Sequence, residues 1–335
     1  MSTNLKLLTP AQVHDLEQKA LVGLFDNNHA LISPSGASRW SKCVGSLLGI
    51  HEHRRTAVDN CASIEGTTAH WLLELSLLAR VCPTKVVQGA IPPHSSETIA
   101  EINSWSAAVK GKPDQPQEVL ELVERLETQL ITLTFDNVMR NHVKRVYDEI
   151  MKYVDDGYTL YPELRVDLFE IFYHRQCNGS ADVVLIKGDH LIIADLKYGV
   201  ADEVFPERNA QLSLYGLGSV IHAKNVLGLT INRVSIVVCQ PRVNNRVWDC
   251  WDTDIATLRS IGSEYKVASY RALQAIGSPE SVTEDQYQPS EKSCKYCHRK
   301  TSCQPRSKLA MSEAVNIFAM AAAASGKEDV PSGDD

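Results

Sequence analysis

Hydrophobic positions change their spacing several times along the chain, and each change marks an element. Residues 179–186 and 191–198 are short runs rich in Val, Ile and Leu that flank Lys187, Gly188, Asp189 and His190. The runs predict two strands, and the Gly-Asp pair between them predicts a two-residue hairpin turn. Asn209 then stands where a cap would start a helix through residues 211–220. Residues 158–172 (Tyr161, Leu164, Val166, Leu168, Ile171) predict a further strand. Residues 233–240 are almost continuously apolar, as in a strand buried on both faces. A turn over 241–245 leads to a shorter strand over 246–251. Helical spacing recurs over 10–25, 62–81, 118–154 (two or more helices), 255–276 and 311–324. Ser33-Pro34-Ser35 predicts a helix start that places Cys43 about two turns in. Residues 83–115, with Pro83, Pro92, Pro93 and Pro113, predict a loop or insertion. Residues 326–335 are short and acidic and read as a disordered tail.

Composition narrows the class. The 335 residues are 44% hydrophobic and carry a formal net charge of −7, with a pI near 5.9. Such a chain can bury a large core. It is not a protein that coats nucleic acid through a basic surface. Local basic groups can still follow phosphates, and Arg39/Lys42, Arg54/Arg55, Lys144/Arg145, Arg242/Arg246 and 292–300 are the candidates. No apolar run approaches the length of a membrane span. The N-terminus lacks a basic-then-apolar leader pattern, so a cytoplasmic protein is expected. In that compartment the nine cysteines read as metal ligands and buried thiols rather than disulfides. Cys239 and Cys250 are expected to be buried.

The predicted hairpin carries chemistry. A turn centred on Gly188-Asp189 sets Asp182 opposite Asp195 on one sheet face. Lys197 shares that face by strand alternation. Two facing carboxylates on apolar strands repel and are costly to desolvate. A divalent cation offsets that cost, and hard oxygen ligands suit Mg²⁺ or Mn²⁺. Lys197 then stands ready to hold a water or a phosphate oxygen. Gln211 and Tyr215, four apart, share one helix face. The alternative is that a lone Asp pair is only a turn or edge feature.

Taken together, G-x-x-D (Gly179, Asp182), D-x-K-x-G (Asp195, Lys197, Gly199) and Q-x-x-x-Y (Gln211, Tyr215) resemble the RecB-like branch of the PD-(D/E)XK nucleases. The resemblance implies a restriction-endonuclease-like α/β core, with a central mixed sheet flanked by helices. It implies catalytic roles for Asp182, Asp195, Lys197, Gln211 and Tyr215. Gly66-x-x-x-His70 is similar to that family's G-x-x-x-H motif, which adds His70 to Asp182 and Asp195 as a metal ligand; in isolation His70 reads as a half-buried helix histidine. Glu163 matches an acidic position before the hairpin that contacts metal or water. A strand-edge Glu is the other reading.

Near the C-terminus, Cys294, Cys297 and Cys303 have C-x₂-C-x₅-C spacing, which argues for a metal centre. From spacing alone zinc stays open, with His298 or Cys61 as fourth ligand. Iron–sulfur members of the RecB-like group have the same trio after the core and one isolated cysteine before it. The resemblance therefore implies that Cys43, Cys294, Cys297 and Cys303 hold a [4Fe–4S] cluster, a staple joining the N- and C-terminal parts.

These readings divide the chain into a helical extension (1–28), a nuclease domain (29–304) and a C-terminal helix with its tail (305–335). Within the domain, 83–154 is a mostly helical insertion and 290–304 the cysteine cluster. The layout also resembles a family found in phages and prophages near recombination genes. The expected activity is thus a Mg²⁺- or Mn²⁺-dependent deoxyribonuclease, an exonuclease acting on double-stranded ends or single strands, 5′–3′ in direction. A phage single-strand annealing protein is the expected partner, and no membrane is involved. Two other classes compete: a catalytically inactive DNA-binding or scaffold module on a nuclease-like fold, and a zinc-stapled structural protein.

Overall fold

In a computed structural model of the chain, residues 9–14, 30–48, 60–81, 96–132 and 137–324 are described. The five strands are β1 (Thr159–Asp167), β2 (Asn178–Lys187), β3 (His190–Leu196), β4 (Arg233–Gln240) and β5 (Arg246–Asp254). They form one sheet in the order β1-β2-β3-β4-β5. Every neighbouring pair is antiparallel except β3 and β4, which run parallel. The β2–β3 ladder pairs Val183 with Ala194 and Lys187 with His190, around the predicted turn. Gly188 adopts φ +60° there, a conformation open to glycine at little steric cost.

Parallel pairing needs a crossover, and the helix Ala210–Leu227 provides it. Its Asn209 side chain accepts from Leu212 N at 3.1 Å, a cap worth about 1 kcal/mol. This helix and Ile255–Gly277 cover one face of the sheet, where Val184, Ile193 and Ile236 meet Leu217, Leu258 and Leu273. The opposite face carries Leu185, Ile192, Ala194 and Val237. It packs against the helices Cys61–Val81 and Asn137–Asp155 through Leu72, Leu73, Val143 and Val146. The crossover helix lies close to β1. A Cβ at Gly218 would fall 2.6 Å from the Val166 Cβ, nearer than packed carbons tolerate. Gly218→Ala is therefore expected to cost about 1–3 kcal/mol by overpacking, read as a lower midpoint in thermal or urea melts. An unchanged midpoint would mean the two elements are less tightly packed than they are here.

Several expectations change. The 83–115 stretch is not all loop, because Ser96–Lys110 is a helix. Its prolines lie outside the helix, so they punctuate it instead of breaking it. With Gln117–Thr132 it builds a satellite core around Val109, Val119, Val123 and Leu126. The strand expected over 158–172 ends at Asp167. Its Oδ1 accepts from Phe169 N at 2.8 Å and starts the helical turn Phe169–Phe172. Cys43 is not two turns into a helix. Ala37–Trp40 is a single turn, and Cys43 is extended (φ −130°, ψ 106°) before the next turn, Val44–Ser46. Cys250 is exposed on β5, which is longer than expected. Of the helix expected over 10–25, residues 10–14 are helical. Its remainder, Arg54/Arg55, Cys82 and the acidic tail lie outside the described residues. No helix among the described residues is long and apolar enough to cross a membrane.

Candidate active site

The sheet brings Asp182, Asp195 and Lys197 together where β2 and β3 part. Backbone pairing stops at Val183–Ala194. Beyond it the Asp182 carboxylate takes over the ladder, with Oδ2 accepting from Leu196 N at 3.0 Å. The same oxygen lies 3.0 Å from His70 Nδ1, which reaches down from the Cys61–Val81 helix. Asp195 is 2% exposed. Its Oδ1 accepts from Gln211 Nε2 at 3.0 Å, and Gln211 Oε1 accepts from Lys197 Nζ at 2.9 Å. One amide thus spans the carboxylate and the ammonium, fixing both. Lys197 Nζ also lies 2.7 Å from Asp195 Oδ2. That approach sets the ammonium directly against the buried carboxylate. The Lys197 backbone N–H donates to Cys239 O at 2.8 Å, which anchors the residue to β4.

Glu163 stands at φ +46°, a left-handed conformation costing a non-glycine residue about 1–2 kcal/mol. The β1–β2 ladder pairs Pro162 with Val183 and Leu164 with Ala181 but omits Glu163 and Asp182 between them. The kink turns the alternation over, so Tyr161 and Leu164, three apart, pack on the same core. Glu163 lines an open cleft of about 690 Å³ with His70, Glu74, Arg165, Ser180 and Asp182. Tyr215, in contrast, is buried behind the site. Its ring lies so close that a Cβ on Gly179 would meet it at 3.1 Å. This contact is the physical link between the glycine of G-x-x-D and the tyrosine of Q-x-x-x-Y.

The charges of the site are interlocked. Burial opposes the charged form of His70, but Asp182 overrides it and pushes the pKa up to about 9. Burial likewise opposes ionisation of Asp182, and the His70 charge and hydrogen bond more than offset it, so that pKa falls. For Asp195 burial wins, aided by the charge of Asp182, and its pKa is raised despite Lys197. Burial disfavours the Lys197 ammonium, yet Asp195 and Asp182 hold its pKa above the usual value. Glu163 is pushed up to about 7, first by burial and then by Asp182 and Glu74. His70 and Lys197 thus set positive charge beside the Asp182 and Asp195 carboxyl groups.

Cys43, Cys294 and Cys303 lie near enough to Cys297 to act on its thiol. Burial raises the Cys297 thiol, and the negative charges of Cys294, Cys43 and Cys303 add to it. Cys43 is buried, and none of the four is in a disulfide. Arg39 Nη1 donates to Tyr296 O at 2.6 Å. Gly45 lies so near that a Cβ there would fall 2.4 Å from the Tyr287 ring. Cys61, the other thiol considered as a ligand, opens its helix and packs against the satellite core. These four free thiols come from distant parts of the chain. Among the described residues, no group of three or more His, Cys, Asp or Glu side chains is gathered tightly enough to hold a metal ion.

The basic clusters are mostly engaged elsewhere. Lys144 pairs with Asp148, Arg242 with Glu65, Arg246 with Glu203 and Lys295 with Asp202. The sequence reading missed Arg165, the cation in the cleft. It also missed Gln240, a polar residue ending an apolar strand. Gln240 holds the loop after Lys197 through Asp202 O (2.6 Å) and Val204 N (3.1 Å). A polar residue closing a buried strand was the available signal.

The profile of a family described as "Protein of unknown function (DUF2800)" matches residues 29–329, most of the chain.

Proposed function

The chain belongs to this DUF2800 family, and we propose that its members of this form are metal-dependent deoxyribonucleases that hydrolyse phosphodiester bonds at DNA ends. The observation that carries the reading is the Gln211 bridge: one amide fixes a buried carboxylate and a lysine side by side, next to the Asp182–His70 pair. Burying a lysine and two carboxylates together is costly for the fold, and Asp182 and His70 of this group open onto the cleft, which supports a chemical role over a packing one. The resemblance to RecB-like nucleases supports the same assignment. It also supports end processing in phage recombination.

Asp182, Asp195 and His70 would hold Mg²⁺ or Mn²⁺. When bound, such an ion supplies a water of lowered pKa and neutralises charge on the scissile phosphate. Lys197, held by Gln211, orients the attacking water or offsets negative charge that develops on the phosphate. Tyr215 acts from behind, keeping the Gly179–Asp182 segment in place. Cys43, Cys294, Cys297 and Cys303 would hold a [4Fe–4S] cluster that ties the N-terminal turns to the end of the domain.

The test is cleavage of end-labelled linear DNA by the full chain across a Mn²⁺ titration, with wild type and His70→Ala in parallel. His70→Ala is expected to lose activity most at low Mn²⁺ and to recover part of it at high Mn²⁺. If its loss follows thermal stability and ignores Mn²⁺, His70 is a packing residue. If the wild type cuts no DNA with any divalent ion, the inactive DNA-binding or scaffold reading takes the place of this one.

A further inference from the structure

The cleft in front of His70 and Asp182 has three features that hydrolysis itself leaves unused. Trp71 lines it and is backed by Trp105, with ring centroids 5.4 Å apart. A half-buried tryptophan held against a second aromatic ring is a firm apolar part of the cleft wall. Arg165 lines the same cleft, is exposed, and makes no ion pair among the described residues. Glu74, Glu163 and Asp182 surround it with negative charge, which a polyanion would meet with repulsion unless a cation intervened. Gly66 lies inside the Cys61–Val81 helix, where glycine is disfavoured against alanine. A Cβ there would meet nothing within 4 Å. No contact within the described chain calls for glycine at that position, so the bare helix surface serves whatever enters the cleft.

We propose that Trp71, Arg165 and Gly66 are substrate-positioning residues for a single nucleic-acid strand. An unpaired base stacks on Trp71, its phosphate meets Arg165, and the strand's backbone lies against the helix at Gly66. Stacking on an aromatic ring needs a free base face. In a closed duplex those faces are already occupied by neighbouring bases. The track therefore favours a frayed or single-stranded end over intact duplex. It rests on the nuclease reading only for what happens to the strand once bound.

The experiment is fluorescence anisotropy of labelled oligothymidylate, and of a blunt duplex of equal length, with the full chain and calcium as the sole divalent ion. Wild type is expected to bind oligothymidylate more tightly. Trp71→Leu should weaken that binding about tenfold and leave the duplex unaffected. Arg165→Ala should reduce the log–log salt slope by about 0.7, the share of one phosphate contact on a single strand. Gly66→Ala should raise the melting temperature and still weaken binding, a combination that a merely structural role does not produce. The proposal is overturned if Trp71→Leu and Arg165→Ala, with native melts, bind both probes as wild type does, or if Gly66→Ala gains stability and loses no affinity. A wild type that binds through Trp71 but never cuts DNA would sink the nuclease reading and leave this one standing. One that cuts DNA yet binds it unchanged in all three variants would do the reverse.

Discussion

Lys197→Ala and Asp195→Ala should each lower metal-dependent cleavage of linear DNA by at least about 100-fold, the loss expected for a group acting on transition-state charge. The structure adds a reason to watch folding in these variants. Asp195 is 2% exposed and sits beside Lys197 at 2.7 Å. Removing one partner of a buried pair leaves the other charge unmatched, at a cost of about 3–5 kcal/mol. Asp195→Asn is the gentler probe: it keeps the shape and an oxygen to accept from Gln211, and removes the charge. A variant that melts like wild type and has lost cleavage places the group in the chemistry. Near-wild-type cleavage by Asp195→Asn or Lys197→Ala would remove both residues from the mechanism, and the Gln211 bridge would then be a packing device.

The hairpin was legible in sequence because its information is local. A glycine that can take φ +60° at the turn fixes the register, and the register fixes which carboxylates meet. Asn209 and the crossover helix were legible for the same reason, since a cap and a 3.6-residue period are read within a few positions. The kink at Glu163 was not. Left-handed backbone at a glutamate has no signature in a run that otherwise alternates like a strand, and it falls where the ladder skips Glu163 and Asp182. The helix Ser96–Lys110 was hidden by prolines that flank it. Arg165 was passed over because it stood alone, while the more conspicuous basic clusters turned out to be paired with local acids. Nor can sequence spacing show that Gln211 holds Asp195 and Lys197 together, because that contact joins a helix to a strand end.

Cys43→Ser is expected to have the largest effect on the fold. Cys43 and Cys294 lie about 250 residues apart along the chain. Closing a loop that long costs several kcal/mol, though each doubling of length adds only about 0.6 kcal/mol. Among the described residues, contacts across this junction include the Arg39 bond to Tyr296 O and the seat of Tyr287 over Gly45. A metal group that binds only the folded chain adds its binding energy to folding. Under the proposed assignment Cys43, extended before Val44–Ser46, would supply the one thiol from the N-terminal part. Its loss should therefore remove iron and the visible absorbance, and leave residues 280–335 open to protease. Cleavage should fall through stability, with His70, Asp182, Asp195 and Lys197 still in place. Cys61→Ser should keep its iron, since Cys61 packs against the satellite core. The measurement is iron and sulfide per chain in wild type and the two variants, purified without oxygen. Zinc in place of iron in the wild type would change the identity of the group while leaving the four-thiol assignment to the variants. Full iron in Cys43→Ser together with loss in Cys61→Ser would show that the chain ends are held by a different set of ligands.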